Sequence, residues 1–227
     1  MRTQALSKYS LILLLVGCTL SALAQTRYWT GGSGSWSDAT HWSAVPGGQG
    51  GAGVPNASTD VVIDVPGSVT IQLPTYAACR GLDMSNASGT LRVVGGARSQ
   101  LTVSGSLALA ANVDWAYNGE LRLTADRQGV EIDLRGIPLR GNVVFNGTGP
   151  WSVLSDLVIN NGDVVLEKGT VITNGNLLKA RALVVNGRSN KRLLAGRSVV
   201  MLERMPTAVQ GVVEPGASIL VVNAAPA

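Results

Sequence analysis

Between Asp60 and about Met205, apolar and polar residues alternate in short runs. Asp60-Val61-Val62-Ile63-Asp64-Val65 and Ser68-Val69-Thr70-Ile71-Gln72-Leu73 are β-branched stretches broken by Pro66-Gly67. Leu101-Thr102-Val103-Ser104, Gly119-Glu120-Leu121-Arg122-Leu123-Thr124 and Val130-Glu131-Ile132-Asp133-Leu134 alternate residue by residue. That period of two sends one side of each strand into a core and the other into water. No stretch carries the stripe of an amphipathic helix, so the pattern predicts an all-β chain.

Five Asn-Gly pairs punctuate these runs, at Asn118-Gly119, Asn146-Gly147, Asn161-Gly162, Asn174-Gly175 and Asn186-Gly187. Asn-Gly is a strong hairpin signal, which would suit an antiparallel sandwich. Spacing favours a different solution. Strand centres at Val144, Trp151, Val158, Val165, Val171, Leu177 and Val184 follow one another at six or seven residues. Three such steps make a rung of roughly 20 residues, within the range of solenoid repeats. Strands this short fit a three-sided parallel β-helix better than a sandwich. Asn at the corners tolerates the left-handed backbone of a sharp bend. The rung spacing is looser before residue 140.

Residues 25–58 form a separate compositional unit, in which Trp29, Trp36 and Trp42 sit among many glycines. Dense glycine lets the backbone fold back tightly, and each indole can bury a large apolar area. A compact Trp/Gly-rich N-terminal cap over 25–58 is expected, followed by the β-helix over 59–205 and a C-terminal strand and tail over 206–227. Gly216–Val222 is a candidate last strand.

Residues 1–24 read as a signal peptide. Arg2 and Lys8 precede an apolar run from Tyr9 to Leu20, and Ser21-Ala22-Leu23-Ala24 offers a small-x-small cleavage site. The run is too short to span a bilayer, and no later segment approaches that length, so no transmembrane segment is expected. Leu15-Val16-Gly17-Cys18 also fits a lipobox, which would make Cys18 a lipidation site; the apolar stretch from Thr19 to Ala24 favours simple cleavage. The expected location is secreted or on the outer-membrane surface.

Composition narrows the function classes. Only 14% of residues are charged, 28 are Gly, and there is a single His. Loss of the leader removes two cations and lowers the formal net charge from +4 to about +2. Such a chain offers no polyelectrolyte patch, so no nucleic-acid partner is expected. Cys79 becomes the sole cysteine, which excludes an internal disulfide in the mature chain. Its neighbours Tyr76-Ala77-Ala78 suggest a small buried apolar residue.

The run Tyr28-Trp29-Thr30-Gly31-Gly32-Ser33-Gly34-Ser35-Trp36-Ser37-Asp38-Ala39-Thr40-His41-Trp42-Ser43, with the glycines leading to Gly53-Val54-Pro55, resembles the start of many large bacterial surface proteins exported by the type IX secretion system. The likeness continues through Asp60–Asp64, Cys79–Asp83, Val143–Gly147, Trp151–Leu154 and Thr173–Asn176, and covers roughly residues 25–200. A looser likeness links the Trp/Gly-rich start to passengers of autotransporter-type adhesins. The resemblance implies a right-handed β-helix that precedes repeat domains and a C-terminal sorting domain. Those later parts are not in this sequence, so it is expected to be either a part of a longer surface protein or a short stand-alone version.

Candidate chemistry is sparse. Gly48-x-Gly50-x-x-Gly53 matches a dinucleotide fingerprint as a string, but Pro46-Gly47 precedes it and Val54-Pro55-Asn56 follows, where a strand and a helix are needed. Glu131 with Asp133, and Asp60 with Asp64, share strand faces and could in principle serve as glycosidase carboxylates. Alternation explains them as the wet side of half-buried strands. One His and scattered acids make no metal site, and no cofactor is expected. Trp29, Trp36 and Trp42 are the carbohydrate-contact candidates, against a role in plugging the solenoid's end. The expectation is a secreted or cell-surface structural or adhesive β-helix module without catalysis, with extracellular glycans or surface proteins as partners. The alternative is a polysaccharide-active β-helix enzyme or a carbohydrate-binding module.

Overall fold

In the computed structural model the chain is 50% strand and 2% helical, with parallel strands stacked into a β-solenoid of about seven turns. The described residues are 25–185, 190–204 and 212–222. The leader with Cys18, the Asn186-Gly187 pair and parts of the 206–227 tail lie outside them.

The stacked strands of the described residues lie on three faces. The first face stacks Gln25–Trp29, Thr59–Val62, Leu82–Asp83, Leu107–Ala108 and Val130–Asp133 in parallel. It continues through the far halves of Val143–Val153 and Val164–Ile172 to Lys191–Leu194 and Val212–Glu214. The second face runs from Gly34–Ser35 through Val69–Gln72 and Leu91–Gly95 to Val113–Tyr117. A second sheet, Leu139–Arg140 through Leu157–Asn160, Leu178–Ala180 and Val199–Leu202 to Ile219–Val222, carries that face on. The third face stacks Tyr76–Cys79, Gln100–Val103, Glu120–Leu123, the near halves of the two long strands, and Leu183–Val185.

The stacking follows the spacing in the sequence. Val144 pairs with Val165, Val165 with Val184, and Trp151 with Val171. Leu157 pairs with Leu178, one position from the expected centres on that face. Alternation then sorts the side chains. In Val130–Asp133 and Val69–Gln72 the first and third residues are buried and the other two are not. Successive turns therefore build inward columns such as Val61, Leu82, Leu107, Ile132 and Val153, all within 1% exposure. Each fully buried aliphatic side chain contributes about 1.5–3 kcal/mol.

Among the described residues, the four Asn-Gly pairs turn corners rather than hairpins. Asn118-Gly119 and Asn161-Gly162 lead from the second face to the third, Asn146-Gly147 from the third to the first, and Asn174-Gly175 from the first to the second. Asn161 (φ 61°) and Asn174 (φ 54°) take the left-handed conformation. Gly147 serves a close approach instead, since a Cβ there would stand 1.9 Å from the Ala125 carbonyl oxygen of the turn before. Among the described residues one pairing is antiparallel: Trp42–Ser43 lies along Tyr28–Trp29 and occupies the outer edge of the first strand.

Candidate functional site

The N-terminal segment is organised around its aromatics. Trp29, Trp36 and Trp42 are 4%, 1% and 0% exposed. Trp42 meets Trp36 edge to face at 4.9 Å and Trp29 at 5.0 Å, and His41 lies stacked on Trp29. The Trp42 indole donates to the Trp36 carbonyl at 2.7 Å, and the Trp29 indole to the Gly32 carbonyl at 3.1 Å. Rings packed this way leave no open face for a sugar, so the three tryptophans are core residues in this structure.

Asp38 starts the short 3-10 turn Ala39–His41 by accepting from the Thr40 amide and hydroxyl. The glycine-rich string packs on this turn. Gly51 N–H donates to Ala39 O and Ala52 N–H to Trp42 O, and a Cβ on Gly50 would collide with the Thr40 carbonyl at 1.7 Å. The glycines allow main chain to lie against main chain; there is no strand–loop–helix around them to cradle a pyrophosphate. Arg27, 7% exposed, donates from Nε to Gly53 O and so ties the end of the string to the first strand.

The returning chain, Val54–Asn56, runs beside the outward side of the third face and encloses a groove of about 310 Å³. Tyr76, Gln100 and Thr102 line it from the strands, and Pro55, Asn56 and Trp36 from the N-terminal segment. Tyr76 is 76% exposed, the most open large apolar side chain among the described residues. Gln100 stands one turn on, directly in register with it, and donates from Nε2 to the Thr102 hydroxyl oxygen at 3.0 Å. Asn56 Oδ1 accepts from the Ser58 amide and hydroxyl, which holds its carboxamide in one orientation. The buried Trp36 indole N–H has no acceptor among the described residues.

A second groove, about 340 Å³, crosses the outward side of the first face between Tyr28, Asp60, Val62, Asp83 and Ala108. Its carboxylates are already engaged. Arg80 hydrogen-bonds both oxygens of Asp60, and the Gly81 amide adds a third bond. The Arg80 bonds hold the Asp60 carboxyl below the ordinary range against the opposing effect of burial. Asp83 accepts from the Ser85 amide and hydroxyl. Glu131 and Asp133 do share an outward side, but Asp133 is bound by Arg135, and Asp64 lies exposed past the end of its strand.

Other charges also find partners in neighbouring turns. Arg92 faces Asp114, Arg181 grips Asp163 through two 2.8 Å bonds, and Arg192 reaches Glu214. Arg122 spans two turns to Glu167, lying over Val144, which is only 2% exposed although it points outward. Residues that look scattered in the sequence are thus vertical neighbours. Cys79 is fully buried, and burial with the nearby Asp60 charge pushes its thiol well above the usual range. Among the described residues no cluster of His, Cys, Asp or Glu is arranged to hold a metal ion, and no helix is long and apolar enough to cross a membrane.

Compared with models of protein families, with curated proteins and with solved structures, the chain finds no match. Its chemistry is therefore read from its own residues. Tyr76 was not singled out by sequence reasoning, because an aromatic in a strand is ordinarily core. The signal that could have found it is phase: Ala77 and Cys79 are the apolar positions of that strand, which sends Tyr76 outward.

Proposed function

We propose that this protein is a structural or adhesive module, secreted or displayed at a bacterial cell surface, and without catalysis of its own. The observation that carries the reading is the stack itself. About seven turns offer three regular lateral faces, on which outward residues stand in register from turn to turn at the strand spacing of about 4.8 Å, as Thr70 with Arg92 and Ala78 with Thr102 and Arg122 do. A rigid ladder of this kind suits many weak contacts with an extended partner. The pattern of residues 1–24 supports export, by cleavage after Ala24 or by lipidation at Cys18. The Trp/Gly-rich start supports a place at the beginning of a surface protein of the type IX export kind, with residues 25–58 closing one end of the solenoid. Right-handed winding is the expected sense, since parallel strands are connected that way in nearly all proteins.

Antibody labelling of intact cells, with fractionation of membranes and medium, tests the location. Beads coated with the purified protein test adhesion to extracellular polysaccharide and to cells of the same species. Retention above that of uncoated beads is expected. Exclusively cytoplasmic protein, or beads that adhere to neither surface, would refute the proposal.

A further inference from the structure

We infer that the groove between Val54–Asn56 and the third face is a subsite for one neutral pyranose of a polysaccharide, with Tyr76 as its stacking platform. The inference rests on the adhesive reading and gives it a ligand class.

A pyranose has two kinds of surface, an apolar C–H face and a rim of hydroxyls. The groove offers a counterpart to each. The Tyr76 ring stands free on a rigid strand, and Pro55 forms an apolar wall that cannot rotate away. Gln100 stands in register with Tyr76, one strand spacing of about 4.8 Å along the stack, and its carboxamide lines the same groove. One of its two Nε2 hydrogens goes to Thr102, which leaves the other as donor, the Gln100 Oε1 as acceptor and the Thr102 hydroxyl as donor. None of these has another partner among the described residues. Trp36 belongs to the groove's wall, but its indole N–H is buried, so it serves as a reporter of the site and not as a donor to the sugar.

Charge selects within the sugars. None of the residues lining this groove is charged, so an acidic sugar would lose hydration of its carboxylate with no cation to replace it. The acid-lined groove on the first face is no competitor, because Asp60 and Asp83 are held by Arg80 and Ser85. The volume, about 310 Å³, lies at the lower end of small-molecule sites, which run from roughly 300 to 1,000 Å³. It suits one ring of a chain rather than a long oligosaccharide. The site also depends on the N-terminal segment being folded back, since Pro55, Asn56 and Trp36 belong to it.

The test is titration of the purified protein with cello-, xylo-, manno- and galacto-oligosaccharides, and with oligogalacturonate as the acidic counterpart. The readouts are calorimetry and the indole N–H resonances in proton–nitrogen NMR spectra. At least one neutral oligosaccharide is expected to bind with a millimolar or tighter constant and to shift the Trp36 resonance. Tyr76→Ala and Gln100→Ala should each weaken that binding about tenfold or more, with unchanged melting temperature because both side chains lie outside the core. Tyr28→Ala, in the other groove, should leave it intact. No shift with any neutral sugar, preference for oligogalacturonate, or binding indifferent to Tyr76→Ala each overturns the subsite. Wild-type beads that adhere while calorimetry finds no neutral-sugar binding would reject the subsite and leave adhesion standing; wild-type beads that never adhere reject the underlying reading.

Discussion

The imidazole of His41 lies flat on the indole of Trp29, with 4.5 Å between ring centroids and 4° between planes, while its Nδ1 meets the Thr30 carbonyl at 3.0 Å. The Thr30 amide in turn donates to the His41 carbonyl at 2.8 Å. The sole His of the chain is thus a clasp between the first strand and the returning segment. His41→Ala should cost about 1 kcal/mol through the lost stacking, and Trp42→Ala about 3–5 kcal/mol as a large buried aromatic. Urea unfolding followed by circular dichroism measures both. Equal, small effects would mean that the aromatic cluster is not packed as described.

Gly50 supplies an independent probe of the same segment. With its Cβ position 1.7 Å from the Thr40 carbonyl oxygen, Gly50→Ala forces two main chains apart. A loss of at least 1–3 kcal/mol is expected, the usual range for overpacking. Gly32→Ala, where a Cβ meets open space, is the control and should be nearly silent.

The left-handed corners make a prediction of opposite sign for two substitutions at one place. Asn161→Gly should be neutral or slightly stabilising, whereas Asn161→Ala should cost about 1–2 kcal/mol, because an ordinary side chain resists positive φ. Arg135 (φ 51°) is strained in the same way, and its bond to Asp133 is exposed and weak, so Arg135→Gly is expected to raise the melting temperature. Thermal melts of the three variants decide.

Acid sensitivity should trace partly to Asp60. Arg80 depresses its carboxyl in the folded state, so the stabilisation is complete above the ordinary carboxylate range. It is lost as pH falls through the lowered folded value. Asp60→Asn should therefore be less stable than wild type at neutral pH, and the gap should close in strong acid. A gap that is constant from neutral to acid pH would show that the pair contributes nothing through ionisation.

Cys79 should be chemically silent in the native state. Its thiol is buried and disfavoured as thiolate, so iodoacetamide at mildly alkaline pH should modify it only after unfolding. Mass spectrometry of protein treated with and without urea reads the difference directly. Rapid native labelling would place the side chain at the surface.

The solenoid was legible because two periods agree along the second half of the chain. Val144, Val165 and Val184 recur at one turn, and alternation within each strand fixes which side is buried. The earlier turns are harder to read. Leu82, Leu107 and Ile132 stack on one another, yet longer connections such as 124–129 stretch the interval between them. Asn-Gly corners also look the same as hairpins until pairing partners are known. The site was less legible for a different reason. Tryptophans signal either a platform or a filler, and which one depends on what folds over them; here Trp36 and Trp42 cover each other. Tyr76 becomes notable only once Pro55 and Asn56, far away in sequence, are seen to lie beside it.

The three indoles of the N-terminal segment have an optical consequence. Rings 4.9–5.0 Å apart, crossed at 71° and 89°, couple their electronic transitions, and the flat imidazole on Trp29 offers a quencher to its excited state. Trp115 and Trp151 lie in later turns, each beside another aromatic of its own. The segment that walls the groove therefore carries its own colour: a far-ultraviolet dichroic couplet from the indole trio should vanish when it peels away, even while the backbone signal of the stacked turns persists. A single melting experiment can then report, at separate wavelengths, whether the groove's wall opens before the ladder behind it comes apart.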